Sequence, residues 1–161
     1  MWARLASAAT PCANQPQHPE TWLGLQQLAQ GILDPLVAHF RHLELTYAFA
    51  GPELTRHIRG RIAPALDQHA GSERNRAGKR ICPRGGQACD LRVPGVPASQ
   101  LAEFISQNLP FDRLYFHGQD RPVHVSIGPD ASRAVLHLVP LANGRRIPRR
   151  IANLAELPKF P

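Results

Sequence analysis

The stretch LPFDRLYFHGQDRPVHVSIGPDASRAVLHLV, residues 109–139, decides the fold class. Three short runs within it, Arg113–Phe116, Pro122–Ile127 and Ala134–Val139, read as strands, and Gly118 marks a polar turn after the first. In the second run His124 lies between Val123 and Val125. On a two-residue period it therefore faces away from both valines, towards the opposite side of a sheet. Leu109-Pro110 stops a helix over Gln100–Asn108, which Pro97 starts and which turns Leu101, Phe104 and Ile105 inward.

Upstream, Trp22–Phe40 carries apolar residues at spacings of three and four: Trp22, Leu25, Leu28, Ile32, Leu36, Val37 and Phe40 mark one helical face. Thr21 suits the N-cap, and Pro35 should kink or divide the helix because it lacks the N–H its turn needs. Leu43, Leu45, Tyr47 and Phe49 alternate as in a half-buried strand, ended by Gly51-Pro52. Glu53–Arg61 reads as a short basic helix closed by Pro64, residues 67–87 as a polar loop or irregular hairpin, and Ala88–Val93 as a strand stopped by Pro94-Gly95. Helix, strand, insertion, strand, helix and three strands make an α+β fold: a small single domain with a mainly antiparallel sheet flanked by helices. Residues 1–18 are expected to be a flexible lead, 19–142 the domain, and 143–161 a loose, basic, proline-containing tail.

The length of 161 residues suffices for one domain with a genuine core, and 43% apolar content argues against wholesale disorder. Nineteen Lys+Arg against 12 Asp+Glu give a formal charge of +7, which favours anionic partners: nucleic acid, cell-wall polymer or membrane surface. The cations concentrate in Arg74–Arg84 and Arg145–Arg150. Neither cluster is interleaved with aromatic residues, so nucleic-acid binding is possible but not favoured. No run approaches the roughly 20 apolar residues of a membrane span. Met1–Ala13 lacks an apolar core of signal-peptide length, so a cytoplasmic location is expected, with Cys12, Cys82 and Cys89 reduced.

Two segments carry chemistry. Asp90 lies in the otherwise apolar Gly86–Leu91, and His124 in Arg121–Ser126. A carboxylate and an imidazole on strands could share a metal ion such as zinc; equally, a buried histidine can simply be hydrogen-bonded to a carboxylate.

The ordered series Gly86–Asp90, Val93-Pro94-Gly95, Leu101–Ile105, Asn108–Leu114 and His124–Ser126 resembles the zinc D-alanyl-D-alanine carboxypeptidase and phage endolysin family, whose fold is shared with the hedgehog signalling domain. Leu25–Phe40 and Leu45–Leu54 are similar to that family's leading helix and first strand, so the resemblance covers roughly residues 20–140. It implies zinc as cofactor, with Asp90 and His124 as ligands. The family's first ligand falls on Pro83, which cannot bind metal; Cys82 or His69, the latter if residues 70–85 are an insertion, would replace it. The family's carboxylate-binding arginine falls on Ala50, leaving Arg56 or Arg59 as substitutes, and its catalytic glutamate falls on His117, with Asp120 the nearest carboxylate. The implied activity is hydrolysis of a D-alanyl or related amide bond in a peptidoglycan stem peptide, at the cell wall after release from the cell. The rival expectation is a degenerate peptidase fold serving as a binding or structural module of a phage or mobile element.

Overall fold

A computed structural model describes residues 13–58, 64–144 and 146–152. The leading helix is divided, as Pro35 demands: α1 (Pro19–Leu28) passes into a π-helical turn (Ala29–Leu33), and α2 (Asp34–Phe40) follows with Pro35 in its first turn, where no backbone N–H is required. The widened turn is closed by Asp34 N–H donating to Ala29 O, five residues back. The inward face of α1 differs from the sequence reading. Thr21, Gly24 and Leu28 are buried, whereas Trp22 is 58% exposed. Small residues at 21 and 24 let the helix approach the chain at Gly86–Gln87, which swings Trp22 outward; a Cβ at Gly24 would stand 3.3 Å from Gln87 Cβ. Thr21 is not the N-cap, a place His18 takes; its hydroxyl instead accepts the Ser72 N–H at 3.1 Å.

The remaining elements are β1 (Glu44–Tyr47), α3 (Pro52–His57), β2 (Gln87–Arg92), α4 (Ala98–Asn108), β3 (Arg113–Phe116), β4 (Val123–Ile127), β5 (Ala134–Pro140) and β6 (Arg146–Arg150). The described strands form one six-stranded sheet in the order β1-β2-β4-β3-β5-β6. All neighbours are antiparallel except β3 and β5, so the sheet is mixed. The fold is thus a small α+β domain. Residues 64–86 hold two 3-10 turns, Pro64–Leu66 and Gln68–Ala70, and an isolated bridge between Arg74 and Arg80.

One face of the sheet carries Leu45, Cys89, Leu91, Leu114, Phe116, Val123 and Val125, which form the core with Leu28, Ile32 and Leu36 from the divided helix and Leu101 and Ile105 from α4. The period of two sends the intervening residues to the other face. Asp90, His124 and Tyr115 stand in register there, and a register shift in β1 between Leu45 and Tyr47 brings Tyr47 onto the same face, opposite Asp90. Gly86 is required at the entry to β2: its φ is +80° and a Cβ would stand 1.9 Å from Ile127 O.

The two expected ends need correction within the described residues. Arg146–Arg150 is not a loose tail but the edge strand β6, paired along β5, and Ile151 is buried in the core. The strand carries no alternating pattern to read, since all five of its residues are exposed and an exposed edge strand needs no apolar face. In the lead, Asn14 donates to Phe49 O and accepts from Gly51 N, while Gln17 and His18 N–H groups bond the buried Glu73 carboxylate. Residues 14–18 are therefore tied down. Residues 1–12 and 153–161 lie outside the described residues.

Candidate metal centre

Asp90 and His124 face each other as directly paired residues of β2 and β4, so the sheet itself sets their separation. His124 Nδ1 lies 2.8 Å from Asp90 Oδ1. His69 arrives from the 3-10 turn of the insertion, with Nε2 3.2 Å from the same oxygen. Donor atoms of the three side chains all lie within 4.8 Å of one another. His69 is buried at 6% exposure, while the Asp90 side chain retains 27%, so the cluster is open on one side.

The position of His69 is over-determined. Asp67 caps its turn, taking the His69 backbone N–H at 3.1 Å and lying 2.8 Å from Nδ1. With Nδ1 donating to that carboxylate, Nε2 is turned towards Asp90, the arrangement by which an outer carboxylate orients a metal-binding histidine. The His69 carbonyl accepts from Ala50 N at 3.0 Å and from Gln87 Nε2 at 3.1 Å. The neighbouring Gln68 donates to Gly85 O and to Asp112 Oδ2 at 3.0 and 3.1 Å. Asp112 in turn receives the Ser132 backbone N–H and hydroxyl. Rings complete the walls: Tyr47 lies 4.3 Å from His69 and Tyr115 lies 5.0 Å from His124, centroid to centroid.

The electrostatics follow from this packing. Burial works against a charged His69, but its hydrogen bonds to Asp67 and Asp90 outweigh that and hold its pKa up at about 9. Burial likewise opposes an ionised Asp90, yet hydrogen bonds from His124 and His69 keep its carboxyl well below the usual carboxylate range. A carboxylate held between two imidazoles, one sharing a proton, is a site where a cation can take the proton's place.

No protein-family model, no curated protein and no solved structure matches this chain.

Cys82 is a fully buried free thiol outside the donor cluster. Burial raises its pKa, which disfavours the thiolate a metal requires. His117 follows β3 on the cluster's side; burial first of all, with the His124, Arg146 and Arg121 charges, lowers its pKa to about 4 against the pull of Asp90. Asp120 is exposed and lines a separate cavity of about 460 Å³ beside Arg92, Val93 and Arg121. Arg56 is exposed on α3 and pairs with Glu53 at 3.5 Å. Arg59 lies outside the described residues.

Sequence reading missed the roles of Asp67, Tyr47 and Tyr115. Tyr115 was legible in principle, since a period of two places it on the face of its partner His124; Tyr47 was not, because the register shift after Leu45 takes it off the face that period assigns. An aspartate two residues before a histidine was the signal for Asp67. Among the described residues, no helix is long and apolar enough to cross a membrane.

Proposed function

We propose that this chain is a zinc-dependent, D-alanyl-peptidase-like hydrolase of the hedgehog-type fold, acting on peptidoglycan stem peptides at the cell wall after release. The observation that carries the reading is the meeting of His69, Asp90 and His124 within 4.8 Å, two of them at the positions the family resemblance marks. The donor set fits zinc: two nitrogens and one oxygen, with the third side open. Ligands of a tetrahedral zinc stand roughly 3.3 Å apart. The two separations to Asp90, 2.8 and 3.2 Å, lie near that value, and all three donors lie within 4.8 Å of one another. Bound zinc supplies Lewis acidity that polarises a carbonyl and acidifies water.

The chain's own residues supply the rest. Asp67 keeps the His69 Nε2 turned inward. Tyr47 and Tyr115 wall the site with aromatic surface that excludes water from two sides. His117 is neutral near pH 7 and so free to accept a proton and return it to the leaving amine, although its lowered pKa of about 4 makes it a weaker base than an ordinary imidazole. Asp120, directed to the neighbouring cavity, is the weaker candidate for that role.

The test is release of D-alanine from an N-acylated D-alanyl-D-alanine peptide by the zinc-loaded protein, beside His117→Ala. Turnover lost in that variant, with zinc retained, is the expected result. Zinc binding without turnover on any stem peptide would instead support the second reading, a degenerate module. That reading draws on Ala50 at the family's arginine position and on Arg56 being engaged by Glu53.

A further inference from the structure

The insertion that delivers His69 also builds a cationic finger. Between residues 74 and 84 the chain carries Arg74, Arg76, Lys79, Arg80 and Arg84 and no acidic residue. Residues 74–80 are all exposed. The preceding acid, Glu73, is 1% exposed and occupied by the Gln17 and His18 N–H groups, so it neutralises none of them. None of the five forms an ion pair among the described residues.

The finger is also ordered. Arg74 and Arg80 face each other in an antiparallel bridge, flanked by Ile81 N–H to Glu73 O and Asn75 N–H to Lys79 O, both 2.9 Å. Asn75 Oδ1 accepts from Ala77 N and Lys79 N, and Gly78 takes a φ of +73° to close the tip. Like charges directly opposite one another are destabilising. The backbone here thus holds two arginines opposite one another; Arg74 Nη1 donates to Gly78 O at 2.8 Å, but no carboxylate pairs with either among the described residues, and an external anion would relieve their repulsion.

We propose that this finger is a docking surface for a phosphodiester polymer of the cell wall, a poly(alditol phosphate). Guanidinium groups match phosphate oxygens in pairs. With no aromatic side chain between residues 71 and 86, the finger has nothing on which a nucleic-acid base would stack. The choice of a wall polymer over duplex DNA rests on the peptidase reading; the anion docking itself does not. The finger's base runs straight into the turn carrying His69, so a polymer held there keeps the metal cluster at the wall.

The test compares binding of poly(glycerol phosphate) and of a random DNA duplex with the same phosphate count, over a range of salt. Full-length wild type is set beside Arg74→Gln/Arg76→Gln/Lys79→Gln/Arg80→Gln. Wild type should prefer the wall polymer, and the fourfold variant should bind at least tenfold more weakly, with a salt slope shallower by about 3. Arg76→Gln/Lys79→Gln, which leaves the bridge arginines in place, guards against loss of the finger's shape and should weaken binding at least threefold. Equal binding by wild type and the double variant, no binding of either polymer, or a preference for duplex DNA would overturn the proposal. Zinc content and peptide hydrolysis are read on the same samples. Polymer binding without hydrolysis sinks the peptidase and leaves the dock; hydrolysis without polymer binding does the reverse.

Discussion

The candidate metal centre is assembled from two unlike regions. Asp90 and His124 sit on neighbouring strands, where the backbone ladder of β2 and β4 fixes their spacing whatever surrounds them. His69 sits in a single 3-10 turn and is positioned by buried polar contacts: Asp67, Gln68, Gln87 and, behind Gln68, Asp112. The contrast teaches that one candidate donor of three depends on a network rather than on the sheet ladder. Networks fail when one member is lost, because the remaining buried polar groups are left unpaired.

The largest expected effect falls on the strand donors. Asp90→Ala and His124→Ala should each abolish stoichiometric zinc while leaving the fold intact, since both side chains lie on the open face; elemental analysis of the purified proteins reads this. Full zinc in both variants would mean that the cluster is not the metal site.

Next comes the support of the loop donor. Asp67→Asn keeps the shape but removes the charge facing His69 Nδ1, and zinc affinity should fall by about 10–100-fold in a chelator competition titration. An unchanged affinity would show that the turn holds His69 without its carboxylate.

A smaller effect is expected one step further out. Gln68→Ala leaves Gly85 O and Asp112 Oδ2 short of a donor, which should destabilise the protein by about 1–3 kcal/mol in urea. Asp112 gives the same network a pH dependence. Burial raises its pKa, but the Ser132 backbone and hydroxyl bonds, Gln68 and the nearby Arg113 outweigh burial, and the net shift is downward from 3.8. A carboxylate whose folded pKa is depressed contributes stability that is present above its unfolded value and lost as pH falls through the folded one. Acid titration of stability should therefore show a loss beginning below about pH 4 that Asp112→Asn flattens; an identical acid limb in the variant would remove Asp112 from the network.

The smallest effect, that of Cys82→Ser, is the sharpest control. Cys82→Ser should leave zinc binding unchanged while His69→Ala removes it, because the thiol lies outside the cluster and the imidazole within it. The reverse result would exchange the two regions' roles.

The sequence by itself determined the strands and the candidate donors they carry. Alternation around Val123-His124-Val125, the lone acid in Gly86–Leu91 and the stop signals at Pro94-Gly95 and Leu109-Pro110 are local patterns, and local patterns are what period and turn chemistry encode. It also narrowed the third ligand to His69 or Cys82. The tertiary structure brings His69, and not Cys82, to Asp90 and His124, since that depends on where a polar insertion folds back, and the fold-back is set by contacts spanning 17 to 44 residues of chain. It likewise made an edge strand of Arg146–Arg150 and brought Arg74 opposite Arg80. Both are pairings that exposed, charged side chains leave unwritten in any hydrophobic pattern, because on those segments the backbone supplies the specificity.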